Sequence, residues 1–371
     1  MAKTVNEKLL DAEVDHAVSL QQYSTGVVRR IIAILNRTDA QLAAALSQAL
    51  EQVEPSTFTL DRLEVLLGSV RALNLEAYNA IGRAIPDEMR RLAEYEAVYQ
   101  RDLFTATIPT GVQAHVPVRA ISVQQAYAAA LSRPFQGRLL QSWAAAIEPT
   151  RMAQIRNTVR DGFLQGKTNS QIVQAVRGTR AKGYSDGIVN RGRVEVEAVV
   201  RTAVSHTAAM ARDEFYNANE QLIASLSWVS TLDLRTSEMC RIRDGKQYTV
   251  DHKPVGHSIP WLQGPGRLHW RCRSSSAPKT KSFRELGIDI DELAPAERAS
   301  MDGQVAAEMS YGDWLQKQSA ARQDEVVGPT RGKLMREGQL PFDSFYTSRG
   351  EWIDLDVLRA RDAAAFKRAG L

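Results

Sequence analysis

The chain has 371 residues, 44% hydrophobic and 24% charged, with a net charge of +4, enough for a sizeable core and for two or three domains. Its two cysteines, Cys240 and Cys272, exclude a disulfide framework and fit a reducing compartment. No run approaches the roughly 20 apolar residues of a membrane helix. Glu7, Asp11, Glu13 and Asp15 interrupt the apolar N-terminus, so no secretory signal is read and synthesis in a cytoplasm is expected.

The first hundred residues read as helices. Val18, Tyr23, Val27, Ile31, Ile32 and Leu35 recur at steps of three and four and predict one apolar face. Asp39 reads as the cap of a second helix that Glu54 and Pro55 end. Thr59 reads as the cap of a third, carrying Leu60, Leu63, Leu66, Leu67 and Val70. Pro86 begins or kinks a helix over 87–103. Such helices either close on themselves as a bundle or, where their apolar faces are wider than a small bundle buries, dock on a partner. Residues 105–121, with Pro109, Gly111 and Pro117, read as an extended connector.

Helical spacing returns over 123–131 and 138–147, and Pro149 punctuates it. Residues 151–164 form another candidate helix, closed by Gly166. Thr168 then caps a short helix that Gly178 stops, and 194–222 reads as one long helix. From 223 the period changes to two. Leu226, Trp228 and Ser230 predict a strand, Asp244-Gly245 a hairpin turn, and 269–276 a returning strand. The tail from Ser282 reads as helical and polar. The expected fold is α+β and mainly α: an N-terminal helical partner-docking region over 1–108, a connector with short helices over 109–149, a module of helices plus a small antiparallel sheet over 150–280, and a helical tail over 281–371.

Charge is segregated along this chain. Residues 241–284 carry ten basic residues against Asp244 and Asp251, and 150–193 carry nine against Asp161 and Asp186. The remainder is acidic. A polyanion or an acidic partner facing the middle of the chain fits this pattern, as does a plain solvated basic face. Arg241, Arg243, Lys246, Arg267, Arg271 and Arg273 are the candidates to face DNA, through phosphates and without sequence readout.

One ordered set of residues stands out: Arg201-Thr202 on the long helix, Trp228 on the strand, then Asp233, Arg235 and Thr236. Cys240, Asp244-Gly245 and finally His269, Cys272 and Arg273 follow. The order resembles the Mu F-like phage head-morphogenesis family over about 150–280. In the tail, Met301–Gln304, Tyr311 to Trp314 and Gly328 to Gly332 add to it. The last cysteine of the family pattern is Ser274 here. The resemblance implies a minor capsid protein of a tailed bacteriophage, made in the host cytoplasm and located in the virion, inside the capsid near the portal. It would act in procapsid assembly and in DNA packaging or ejection. Its implied partners are the portal protein, scaffolding, capsid and ejection proteins, and packaged double-stranded DNA bound nonspecifically. Under this resemblance the residues of the ordered set are structural, and no enzyme activity is expected. The alternative is a DNA-binding or metal-dependent nuclease-like module.

Cys240, His269 and Cys272 are also the residues with coordination chemistry, and His252 or His257 could supply a fourth ligand. Zinc modules ordinarily show two tight pairs of ligands; only His269 and Cys272 form one. On that spacing no cofactor is expected, zinc being the one candidate, and the cysteines read as small buried apolar groups. Replacing both with serine is then expected to leave the fold largely intact. Asp233, Arg235 and Thr236 read as a charged turn, with Arg235 pairing to Asp233 or Asp244, and Arg201 as a salt-bridge element against the sheet. As strand residues three apart, His269 and Cys272 would point to opposite faces, which argues against a nucleophile–base pair. No phosphate-binding loop, dinucleotide fingerprint, zinc-protease motif or nucleophile elbow occurs.

Overall fold

A computed structural model describes the chain except residues 1–3, 53–58, 283, 289–296, 301–302 and 307–308. Glu54, Pro55, Met301 and Asp302 therefore lie outside the described residues. In chain order come α1 (Val5–Glu51), α2 (Leu60–Leu66), α3 (Gly68–Thr107), α4 (Thr110–His115), α5 (Val123–Ser132), α6 (Trp143–Leu164), α7 (Asn169–Arg177) and α8 (Val189–Ala218). Then follow β1 (Ile223–Val229), α9 (Glu238–Arg241), β2 (Gln247–Tyr248), β3 (Pro254–Val255) and β4 (Ser275–Thr280). A two-stranded ribbon, β5 (Glu297–Ser300) with β6 (Gly303–Ala306), precedes five tail helices: α10 (Tyr311–Gln316), α11 (Ala320–Val327), α12 (Pro329–Arg336), α13 (Leu355–Arg361) and α14 (Ala363–Arg368). The fold is mainly α with a small antiparallel sheet, as the sequence predicts.

The compact units do not follow linear order. One takes residues 1–20, 95–126 and 208–371; the other takes 21–94 and 127–207.

In the second unit, Leu42, Leu46, Leu50, Leu63, Leu67 and Val70 meet Met152, Ile155, Val159, Ile172 and Val176 in one core. Thr168 caps α7 with a full capping box, and Gly178 ends it, both as read from sequence. Three expectations need correction. Asp39 caps nothing: α1 runs through it, and its buried carboxylate accepts from Arg151 and from Arg193, at 2.7 Å for the latter. Gly192 makes room for this pairing, since a Cβ there would lie 2.8 Å from the Tyr78 hydroxyl and 3.1 Å from Arg151. Pro149 does not punctuate the chain but lies within α6, and of the two readings of Pro86 the helix start fails, since Pro86 lies inside α3. Nor is the apolar face of α1 left open, for Val27, Ile31 and Leu35 are all buried. Among the described residues, the exposed large apolar side chains of α1 to α3 are Val18, Val65, Leu75, Tyr95 and Val98, spread over three helices.

The first unit carries the four-stranded sheet, ordered β3-β2-β1-β4 with antiparallel pairs throughout. Leu226 faces Tyr248 on one side and Pro278 on the other. Under it, Glu13 of α1 and Arg212 of α8 form an ion pair at 3.2 Å with side chains 0% and 3% exposed. Arg212 also bonds Ser275, and Gln100 of α3 donates to Glu13 at 2.8 Å. The tail has a real core. Tyr311, Trp314, Leu315, Phe342, Phe345 and Phe366 cluster with Leu232, Ile242 and Ile259, so the expected boundary at 280/281 falls inside one hydrophobic cluster. Polar ties join the same parts: Tyr311 donates to the Asp233 carbonyl at 3.0 Å, and Arg241 to the Val326 carbonyl at 2.8 Å.

Candidate functional site

The segment after β1 folds as a series of capped turns. The Asp244 carboxylate accepts from the Ser230 N–H at 2.7 Å, which satisfies a buried donor at the end of the strand. Gly245 takes φ +74, a conformation favoured by glycine, and its N–H returns to the Trp228 carbonyl at 2.9 Å. Trp228 itself is fully buried, edge-on to Trp261 at 5.3 Å. Ser237 caps α9 and so sets Cys240 on its first turn.

The returning chain is not strand where His269 stands. Residues 265–271 turn, Arg271 has φ +58, and the Cys272 N–H bonds the His269 carbonyl at 3.2 Å; β4 begins only at Ser275. This corrects the expected strand over 269–276. It also removes the opposite-faces argument, because the turn brings both side chains to one side.

Cys240, His269 and Cys272 thus converge, with their ligand atoms all within 4.8 Å of one another. The two sulfurs are 3.8 Å apart, and His269 Nε2 is 3.3 Å from the Cys240 sulfur. Both cysteines are free and buried. The Trp270 carbonyl, which can only accept, lies 2.9 Å from His269 Nδ1. Nδ1 therefore carries the proton and Nε2 faces the sulfurs. The Ser237 hydroxyl is 2.8 Å from the same Nε2. The contact with Cys272, together with burial, pushes the Cys240 thiol well above its ordinary range. The Cys240 contact, aided by His269, holds Cys272 well below it against the opposing effect of burial. Burial lowers His269, but the Cys272 sulfur outweighs it and the net direction is upward.

A thiolate beside an imidazole can attack an electrophile or bind a metal. Cys240 at 1% and Cys272 at 0% exposure offer a substrate no approach, and coordination is the chemistry this geometry suits. His252 and His257 do not join the group. His252 stacks on Trp261 at 4.5 Å, and His257 Nε2 lies 2.8 Å from the Gln247 carbonyl.

Around this cluster, Arg273 grips Asp233 with both nitrogens, at 2.5 and 2.7 Å. Arg235, the expected partner, is 86% exposed and 3.9 Å away. The Asp233 carboxylate also accepts from the Arg235 N–H and the Thr236 hydroxyl. Arg201 bonds Glu197 in its own helix and Ser24 and Thr25 of α1, rather than a strand, and Thr202 bonds back to the Ala198 carbonyl.

The residues expected to face DNA divide. Arg243 and Arg267 are buried and cannot: Arg243 donates to the Pro260 and Met239 carbonyls, and Arg267 pairs with Asp213 at 3.0 Å. Arg241 and Arg273 are committed to the internal partners above, and Lys246 lies 2.8 Å from Asp343. Arg271 is exposed. Sequence reasoning missed the Glu13–Arg212 and Asp213–Arg267 pairs, whose members lie far apart in the chain and carry no spacing signal.

No curated protein and no solved structure was found to match this chain. A family model does match, over residues 153–277, from α6 to β4, and its description is Phage Mu protein F like protein. The turns, the Cys-His-Cys cluster, β1 to β3 and the first half of β4 fall within those residues, and the chain accordingly carries a Mu F-like region, the family that its residue order resembles.

Proposed function

We propose that the protein is a minor head protein of a tailed phage, placed inside the capsid near the portal, with a part in procapsid assembly and in DNA packaging or ejection. The match of residues 153–277 to the Phage Mu protein F-like family carries this reading. A scaffold role is supported by the conspicuous sequence residues serving as caps, ion pairs and core, with Cys240 and Cys272 buried. No helix among the described residues is long and apolar enough to cross a membrane. The portal, scaffolding, capsid and ejection proteins are the proposed partners, with packaged DNA bound through phosphates.

A phage carrying a nonsense codon in this gene tests the role. Heads assembled without the protein are expected to lose infectivity through misassembly, incomplete filling or failed DNA delivery, and supply in trans restores it. Full infectivity of particles shown to lack the protein overturns the reading.

A further inference from the structure

We propose that Cys240, His269 and Cys272 form a structural zinc site that pins α9 to the turn entering β4. Tetrahedral zinc, with sulfur near 2.3 Å and nitrogen near 2.0 Å, sets sulfur–sulfur separations of about 3.8 Å and sulfur–nitrogen separations of about 3.5 Å. The structure has 3.8 Å between the sulfurs and 3.3 Å between the Cys240 sulfur and His269 Nε2. Two of the three ligand separations thus lie close to those of such a site, and the third is within 4.8 Å.

The surroundings fit a metal ligand. Zinc-bound histidines usually donate their other ring N–H to a carbonyl or carboxylate, which fixes the ring and raises its basicity. His269 does so through Nδ1 to the Trp270 carbonyl. The fourth corner faces two hydroxyls. Ser237 lies beside His269 Nε2, and the buried Ser274 hydroxyl, two residues after Cys272, bonds the Ser230 hydroxyl, which itself donates to the Cys240 carbonyl. Either can ligate or hold a water. On binding, each thiol gives its proton to solvent, and two thiolates then cancel the charge of the dication. A neutral centre suits a place where both cysteines are buried. The charges next to it are already matched, Arg273 with Asp233.

Two alternatives use the same atoms: a pair of inert buried thiols, and a reversible disulfide. The metal reading differs from both in stoichiometry and in its dependence on His269.

The test uses the full chain, purified without chelator and reconstituted with zinc or cobalt under reducing conditions. One zinc per chain is expected, with a cobalt spectrum of tetrahedral thiolate coordination. Cys240→Ser, Cys272→Ser and His269→Ala each lose stoichiometric metal, while His252→Ala retains it. Ser274→Cys adds a ligand, leaves the other three in place and need not disturb folding; zinc transfer from it to a chromophoric chelator is expected to slow at least tenfold. A wild-type chain that takes up no zinc or cobalt while both thiols titrate as free overturns the proposal. So does full zinc retention by the Cys240→Ser, Cys272→Ser double variant. Unaltered zinc release from Ser274→Cys shows that Ser274 does not stand at the fourth corner.

Discussion

Asp233 holds a turn together with one carboxylate. It takes two bonds from Arg273, one from the Arg235 N–H and one from the Thr236 hydroxyl. Partial burial raises its pKa, but the bond and charge of Arg273 prevail, and the group titrates below its ordinary value. A depressed carboxylate contributes stability that is complete above its unfolded value, about 3.9, and is lost as pH falls through the folded value. Asp233→Asn is therefore expected to cost stability at neutral pH and to flatten the acid limb below about pH 4. Denaturant midpoints of both proteins across that range measure it, and parallel acid limbs would contradict the assignment. None of this was legible from the sequence beyond the turn itself. Arg235 is nearer in the chain, but a bidentate grip depends on where β4 enters, which no local spacing encodes. For the same reason Arg243 and Arg267 read as surface charge: a run of basic residues looks alike whether its side chains meet solvent or buried carbonyls.

Helices show the same division between local and distant causes. Thr168 and Gly178 bound α7 in sequence and in structure because a cap is made with residues three or four positions away. Asp39 also looks like a cap, yet its partners Arg151 and Arg193 are over a hundred positions distant. With Asp39 and Arg151 only 3% and 1% exposed, Asp39→Ala strands a buried guanidinium and is expected to cost about 3–5 kcal/mol. Glu88→Ala breaks the Arg30–Glu88 pair, whose arginine side chain is 54% exposed, and is expected to cost less than about 1 kcal/mol. Urea unfolding of the two variants separates these cases; similar losses would mean that α1 is not held through Asp39. The turns flanking α7 also display Lys167, Arg180 and Lys182 at the surface, and Arg191 is exposed at the start of α8. If phosphates meet the protein there, changing Arg180, Lys182 and Arg191 to glutamate weakens duplex binding equally for unrelated sequences. It also reduces the salt dependence, by about 0.9 in log–log slope for each phosphate no longer neutralised. Gel shifts over a salt series read both quantities, and an unchanged slope would place the DNA-binding surface elsewhere.

At the scale of the whole molecule, mainly helical architecture with one small sheet was readable, because helical and strand periods persist over long stretches. The grouping of elements was not. Residues 1–20 share a compact unit with 208–371, and the tail buries Trp314 and Phe345 with Leu232 and Ile242 of the module. Such long-range burial leaves only scattered apolar residues in the sequence, and these read as a polar tail. Cys240, His269 and Cys272 were nameable as candidate ligands, but their convergence was not, since it depends on a turn at 265–271 that the residue types disguise as a strand. The proposed role stands on the Mu F-like region belonging to a head protein. Quantitative mass spectrometry of purified, nuclease-treated heads tests that most directly. The chain is expected inside the particles, protected from external protease and present at a fixed low ratio to the portal protein. Its absence from purified heads, with the protein found only free in the infected cell, would contradict the role.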